Sequence, residues 1–301
     1  MMFICKVIAY YTCCIFVATY ISLLEMKLIA RIQRRMGPSN CGVCGIFQPI
    51  ADAVKLFFKV GSFVGHTKTS IAGICLLFAV TLCQLTLIPT GFGIFPERSN
   101  TLLIILSQSL IVFSEVLLGI SSSSKYGIIG GNRAYIQNLG GHLLLMLMMI
   151  IVMLTSNSTC IADFMTMPKD AMFWIKYTPF AVIFFITILI TGNRTPFDFT
   201  EAESELVGGA YVEYGGILFA MIYLADYLNL IFISALFSTL FLGKIFYTPV
   251  YLIEILIKTM LVICFIVLVR AILPRYTQQK MISISWKLII MCCAILLCCI
   301  K

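Results

Sequence analysis

Eight long runs of apolar side chains decide most of what this chain can become. They cover residues 8–24, 71–88, 102–120, 139–154, 180–190 with its flanks, 217–241, 251–273 and 284–300. Backbone that lies in hydrocarbon must satisfy its own N–H and C=O groups, so such runs become helices. A membrane barrel would alternate apolar and polar residues, and these runs are continuous. The chain is 61% hydrophobic and only 11% charged, which excludes a soluble domain with one odd segment. The expected fold is an all-α polytopic membrane protein, a single membrane domain over residues 1–301 with eight transmembrane helices. The last is expected to be short, because Lys287 and Lys301 bracket only 13 apolar residues where a span needs about 20.

Charge sets the orientation. Fourteen of the 21 Lys and Arg residues fall in the connections after the odd-numbered spans or at the span ends beside them, Arg31, Arg34, Arg35, Arg133, Arg194, Arg270 and Arg275 among them. The positive-inside rule places those connections on the cytoplasm- or matrix-facing side. The formal charge of +8 therefore reads as topology and not as nucleic-acid binding. The 13 cysteines sit mostly in apolar runs, where a thiol behaves as a small hydrophobe. Cys41 and Cys44 have metal-site spacing, yet no second pair follows and no metal is expected there. The N-terminus shows neither a cleavable signal pattern nor an Arg- and Ser-rich presequence, so the chain is expected to be inserted where it is made.

The first connection opens with a basic helical pattern from Glu25 that Gly37-Pro38 stops. A second helix is expected over residues 46–60. Its apolar stripe of Ile46, Phe47, Ile50, Val54, Phe57 and Phe58 fits an amphipathic helix lying along the interface. Residues 121–137, Ser- and Gly-rich, read as a small polar connection suited to close packing of helix ends. Arg34, Arg35, Asp52, Phe57 and Phe58 are expected to frame a narrow cavity open to lipid, because an amphiphilic ligand needs apolar walls with few polar groups.

The densest polar feature is residues 191–214, which gather Asp198, Glu201, Glu203, Glu205 and Glu213 around Arg194. So many carboxylates beside apolar spans are costly, which points to chemistry with protons, cations or a polar head group. Crowded carboxylates do not ionise independently, and some can exchange protons during turnover. The interleaved Phe197, Phe199, Tyr211 and Tyr214 argue against a merely solvated loop. Charges also lie inside spans. Glu254 and Lys258, four apart, can pair with each other. Asp226 has no such local partner, and Glu115 and His142 complete the set.

Three blocks together resemble one family, the quinone-site membrane subunit of respiratory complex I (NADH:ubiquinone oxidoreductase chain 1). They are residues 33–40 with 45–57, residues 193–207 continued by Val212-Glu213-Tyr214, and Lys258-Thr259 with residues 270–276. Ser124-Lys125-Tyr126 and Arg133 add a weaker match. The resemblance implies that quinone passes from the membrane between the first span, the interfacial helix and the sixth span, with Arg270 and Arg275 added to the quinone-binding residues. It implies that Arg194, Asp198, Glu201, Glu203, Glu205, Glu213 and Asp226 link quinone reduction to proton translocation. Ubiquinone is then the substrate. Flavin and iron–sulfur clusters belong to partner subunits, the chain alone binds no cofactor, and the location is the mitochondrial inner membrane more readily than a bacterial plasma membrane.

The sequence departs from that pattern at two carboxylates. His142 follows Gly140-Gly141 where the family usually has a Glu, and Thr191-Gly192 precede Asn193 where it usually has an acid. His142 is expected to face the bundle interior near Asp226 or Glu213 and to relay protons in place of the lost Glu. Rival readings are a related plastid dehydrogenase or membrane-bound hydrogenase subunit, and a cation-coupled secondary transporter. A transporter would show paired inverted repeats with broken helices, and none is found.

Overall fold

The computed structural model describes residues 2–59, 67–89, 100–165, 171–200, 203–242 and 251–300. The helices are α1 (Met2–Ile32), α2 (Gln48–Phe58), α3 (Thr67–Leu85), α4 (Thr101–Ser121), α5 (Lys125–Ser156), α6 (Ile161–Met165), α7 (Ala171–Thr191), α8 (Glu203–Leu206), α9 (Ile217–Phe241), α10 (Tyr251–Ile272) and α11 (Gln278–Ile300), with 3-10 turns at Val43–Gly45 and Gly209–Tyr211. Among the described residues, seven helices are long and apolar enough to cross a membrane: α1, α3, α4, α5, α9, α10 and α11. The fifth expected span corresponds to α7, where the apolar stretch with described side chains is the shorter Tyr177–Thr191. The chain is thus an all-helical polytopic protein, as its apolar runs require.

Local signals explain several boundaries and three departures from expectation. Asn100 caps α4 by accepting from the Leu102 N–H at 3.1 Å, and Ser124 caps α5 by accepting from Gly127 N–H at 3.0 Å. Residues 125–137 are therefore helix, not connection, and only residues 122–124 link α4 to α5. The basic pattern from Glu25 likewise continues α1 without a break as far as Ile32. The last helix is not short: it starts at Gln278, nine residues before Lys287, and runs for 23 residues. Lysine near a helix end can snorkel, so Lys287 does not mark the start of the span.

The small residues of the α4–α5 turn allow close packing. A Cβ on Gly131 would collide with the backbone of Gly119 on α4, and one on Gly130 would meet the backbone of Gly209 and Ala210. At about 1.5 Å per residue the 32-residue α5 is some 48 Å long, more than the ~30 Å of hydrocarbon. Its first turns therefore project beyond the membrane toward the acidic segment.

Helix α9 is central, packing against α1, α3, α7 and α10. Buried residues such as Ala225, Tyr227, Leu230, Ile233, Ala235 and Phe241 point around its whole circumference, which is the pattern of an enclosed helix. Lys258 on α10 pairs with Glu254 and donates to the carbonyl of Leu242 at 3.1 Å. That ammonium satisfies the C-terminal end of α9, where a cation is favoured.

The connections gather on two sides, as the basic residues predict. Tyr276 N–H donates to Pro196 O at 3.1 Å, Thr195 Oγ1 to Arg270 O at 3.3 Å, and Ser123 to Glu213. These bonds join the third, fifth and seventh connections at one end of the bundle. At the other end, Thr101 N–H donates to Thr159 O at 2.9 Å, joining the second and fourth.

Candidate functional site

The end of the bundle that carries the odd-numbered connections holds a charged cluster built from four elements. Glu25, near the end of α1, is buried. Arg270 on α10 forms an ion pair with its Oε1, and Arg194, just after α7, lies 3.5 Å from its Oε2. Tyr227 on α9 donates its hydroxyl to the same Oε2 at 2.7 Å, and the Arg194 guanidinium stands 4.7 Å from the Tyr227 ring centroid. Two guanidiniums thus converge on one buried carboxylate, which also takes the hydrogen bond of a neutral phenol.

These side chains line a polar cavity of about 260 Å³ together with Asp198, Thr200, Tyr223 and Asp226. Tyr223 also lines a second cavity of about 430 Å³, which is walled by Phe219, Val207, Tyr211 and Tyr214 and by Leu56 and Lys59 at the α2 end. Phe219, Tyr223 and Tyr227 recur every four residues and so share one face of α9. Their rings follow one another at 6.2 and 4.9 Å between centroids, and the two tyrosine hydroxyls are 3.2 Å apart. An aromatic row thus leads from α2 to the Glu25 cluster.

A buried amide network supports the loop that carries Arg194. Gln137 Nε2 shares its two N–H groups among Ile190 O at 2.9 Å, Phe197 O at 2.6 Å and Asn193 Oδ1 at 2.9 Å. Asn193 adopts a left-handed φ of 49°, which this residue type tolerates. The turn there sends the neighbouring Asn193 and Arg194 side chains to different partners.

The acidic segment is split between roles. Glu205 pairs with Arg133 on α5, with Arg275 4.0 Å away. The Arg133 hydrogen bond holds the Glu205 carboxyl below its ordinary pKa. Glu213 accepts from Ser123 N–H at 2.8 Å and Ser123 Oγ at 2.9 Å, beside the N-terminus of α5 where a carboxylate is favoured. Tyr214 donates to Leu118 O at 2.9 Å, and burial pushes its phenol pKa up. Asp198 and Asp226 face the polar cavity. Glu201 lies outside the described residues, as does the side chain of Glu203.

Other expected residues fall elsewhere. Arg34, Asp52, Phe57 and Phe58 are exposed and line neither cavity; Asp52 accepts from Gln48 Nε2 at 3.1 Å. α2 instead contributes Leu56 and Lys59, because its large apolar side chains turn outward as on an interfacial helix. Arg35 lines another cavity, of about 300 Å³, with Pro38 and with Met26 and Ile29, which also line the polar one. Arg270 reaches the polar cavity, whereas Arg275 lies 5.4 Å from the centroid of the Phe199 ring. His142 is not joined to Glu213 or Asp226: its Nε2 is buried with no hydrogen-bond partner. Sequence reasoning missed Glu25, Tyr223 and Gln137. The four-residue spacing of Phe219, Tyr223 and Tyr227 was a usable signal.

Fold and site together define a polytopic helical membrane protein with an aromatic-lined approach to a charged cavity at its basic face. The chain belongs to the NADH dehydrogenase family, whose model matches residues 5–301. It is 35% identical over 274 residues to NADH-ubiquinone oxidoreductase chain 1 of Emballonura alecto, covering 89% of this chain and 86% of that one. It is also 35% identical over 298 residues to an NADH-quinone oxidoreductase subunit of Orientia tsutsugamushi strain Ikeda, covering 94% and 86%. The chain 1 protein of Lemur catta is 34% identical over 273 residues, covering 89% and 86%.

Proposed function

We propose that this chain is the quinone-site subunit in the membrane arm of an NADH:quinone oxidoreductase of the mitochondrial inner membrane. The supporting observation is the row Phe219–Tyr223–Tyr227 running from α2 to the Glu25–Arg194–Arg270 cluster. A quinone has an apolar tail and two carbonyl oxygens. Aromatic faces suit its ring and tail, while tyrosine hydroxyls and guanidiniums can donate to its oxygens.

Reduction to quinol adds two electrons and two protons. The electrons come from flavin and iron–sulfur groups on partner subunits, and ubiquinone is the substrate. The Arg194 and Arg270 guanidiniums, lining the cavity, can stabilise the negative charge that develops on the partly reduced head group. Asp198 and Asp226, in the same cavity, can take up and release protons, and the acidic segment carries that change toward the membrane interior. This is the coupling role of the chain.

A photoreactive quinone analogue tests the reading in intact membranes. Cross-links should map to residues 219–227 and diminish when excess short-chain quinone competes. Labelling confined to other helices, with no competition, would remove the proposal.

A further inference from the structure

Glu115 lies in the middle helix of the α3–α4–α5 group and takes no part in the cluster described above. Its side chain is buried, and its two oxygens face two amides. Oε2 accepts from Asn138 Nδ2 on α5, and Oε1 accepts from Asn193 Nδ2 at 3.3 Å. Among the described residues it forms no ion pair, and the neighbouring Arg194 turns to Glu25 instead. Enclosing a carboxyl with neutral donors alone is costly. Packing by itself would be better served by an aliphatic residue.

The amide orientations give this carboxyl two unequal oxygens. Gln137 Nε2 faces the backbone carbonyls of Ile190 and Phe197, which only a donor can do. An amide nitrogen cannot accept, so Asn193 turns its oxygen to Gln137, sharing one of those N–H groups, and its Nδ2 to Glu115. Glu115 Oε1 is thus an acceptor in any charge state. Oε2 is different, because the Asn138 amide is oriented by Glu115 alone. To a carboxylate Asn138 donates its N–H; to the acid it can turn over and accept the O–H. Either charge state keeps both hydrogen bonds.

We infer that Glu115 is a proton-exchanging positioning residue for the quinone-linked reaction, acting on Arg194 through Asn193. One proton from the aqueous phase forms the O–H bond at Oε2, and release breaks that same bond and returns the proton to water. A carboxylate draws Asn193 more strongly than the neutral acid does, because its hydrogen bond is charge-assisted. Asn193 adjoins Arg194, whose guanidinium lies 3.5 Å from Glu25 and stacks on Tyr227. The two carboxyls, Glu115 and Glu25, are therefore linked through one left-handed turn. This inference rests on the quinone-site reading and adds to it a residue by which proton occupancy reaches the site.

The test uses the assembled complex in sealed membranes. Glu115→Gln keeps the hydrogen bonds of the acid but cannot exchange the proton. NADH oxidation by a hydrophilic acceptor should match the parent, quinone reduction should fall about tenfold, the size of one lost charge-assisted step, and fewer protons should move per electron. Glu115→Asp should restore part of both. Unchanged quinone reduction and proton transfer in Glu115→Gln overturn the inference. If Glu115→Gln does not assemble, redox-induced infrared difference spectra of the parent and Glu115→Asp decide: a carboxylic-acid C=O band that moves supports it, and an unmoved band overturns it. A parent complex that assembles but does not reduce quinone removes the quinone-site reading itself, and this inference with it.

Discussion

Glu25 and Arg270 meet as an ion pair although 245 residues separate them in the chain. The pair ties α1 to α10 across the face of α9, and Tyr227 from α9 completes it with a 2.7 Å hydrogen bond to the carboxylate. A three-helix junction is thereby fixed at the polar end of the aromatic row. The same groups that hold the helices together supply the charge of the cavity, so structure and chemistry cannot be altered separately here.

Replacing both partners of that pair should cost less than the two single replacements added together. Arg270→Met leaves Glu25 buried with Arg194 at 3.5 Å, and breaking a buried pair costs roughly 3–5 kcal/mol. Quinone reductase activity should fall at least tenfold, with lower thermal stability of the complex. Glu25→Gln combined with Arg270→Met should be less harmful than the sum of the single changes. Additive losses in such a cycle would show that the two side chains do not interact.

Tyr223 lines both cavities, so under the proposed function its ring is a wall of the quinone path. Tyr223→Leu should raise the KM for a long-chain quinone several-fold while leaving NADH oxidation by a hydrophilic acceptor unchanged. Tyr223→Phe keeps the ring and should lie close to the parent. An equal effect of both changes would contradict a wall role for the ring.

The bundle was legible in the sequence because the apolar runs and basic connections act locally: each run decides its own helix, and each charge its own side. The acidic segment was legible for the same reason. The Glu25 cluster was not, since its members come from α1, α7, α9 and α10 and nothing in local spacing brings them together. Glu25 looked like the start of a polar connection because the helix continues past it. Phe57 and Phe58 suggested a cavity wall by chemistry alone, but an interfacial helix turns such groups to lipid. The departures at His142 and Thr191 also read differently in three dimensions. Asn138, one turn before His142, and Asn193, two residues after Thr191, both bond to Glu115, so a carboxyl reaches that region from α4.

The Glu205 tie should be insensitive to mild acid. Its carboxyl is held below the ordinary value, chiefly by the Arg133 hydrogen bond. A depressed carboxylate stabilises the fold above its unfolded pKa of about 4.3, and that contribution is lost only as pH falls through the lower folded value. Protease sensitivity of the segment after α7 should stay constant from neutral pH to about 5 and rise below the unfolded pKa. Glu205→Gln should remove that rise; if the variant shows the same acid-induced cleavage, another group governs the segment. The effect should be small, because the Glu205 side chain is 53% exposed.

The tightest constraint is steric. Gly131 on α5 rests on Gly119 of α4, and Gly130 rests on the turn at Gly209–Ala210, so neither can carry a side chain without moving backbone. Gly131→Leu must push α5 off α4 and displace Asn138 from Glu115 and Arg133 from Glu205. Overpacking of this kind costs about 1–3 kcal/mol or more, and here the strain falls on the helix that carries the loop's supports. Gly131→Leu should therefore lower the amount of assembled complex on native gels and reduce quinone reductase activity in what remains. Gly140 gives the contrast: its added Cβ would meet only the Ser285 side chain, at 3.1 Å, which has room to shift. Gly140→Ala should assemble at close to the parent level. Normal assembly of Gly131→Leu would mean that α4 and α5 are not in backbone contact.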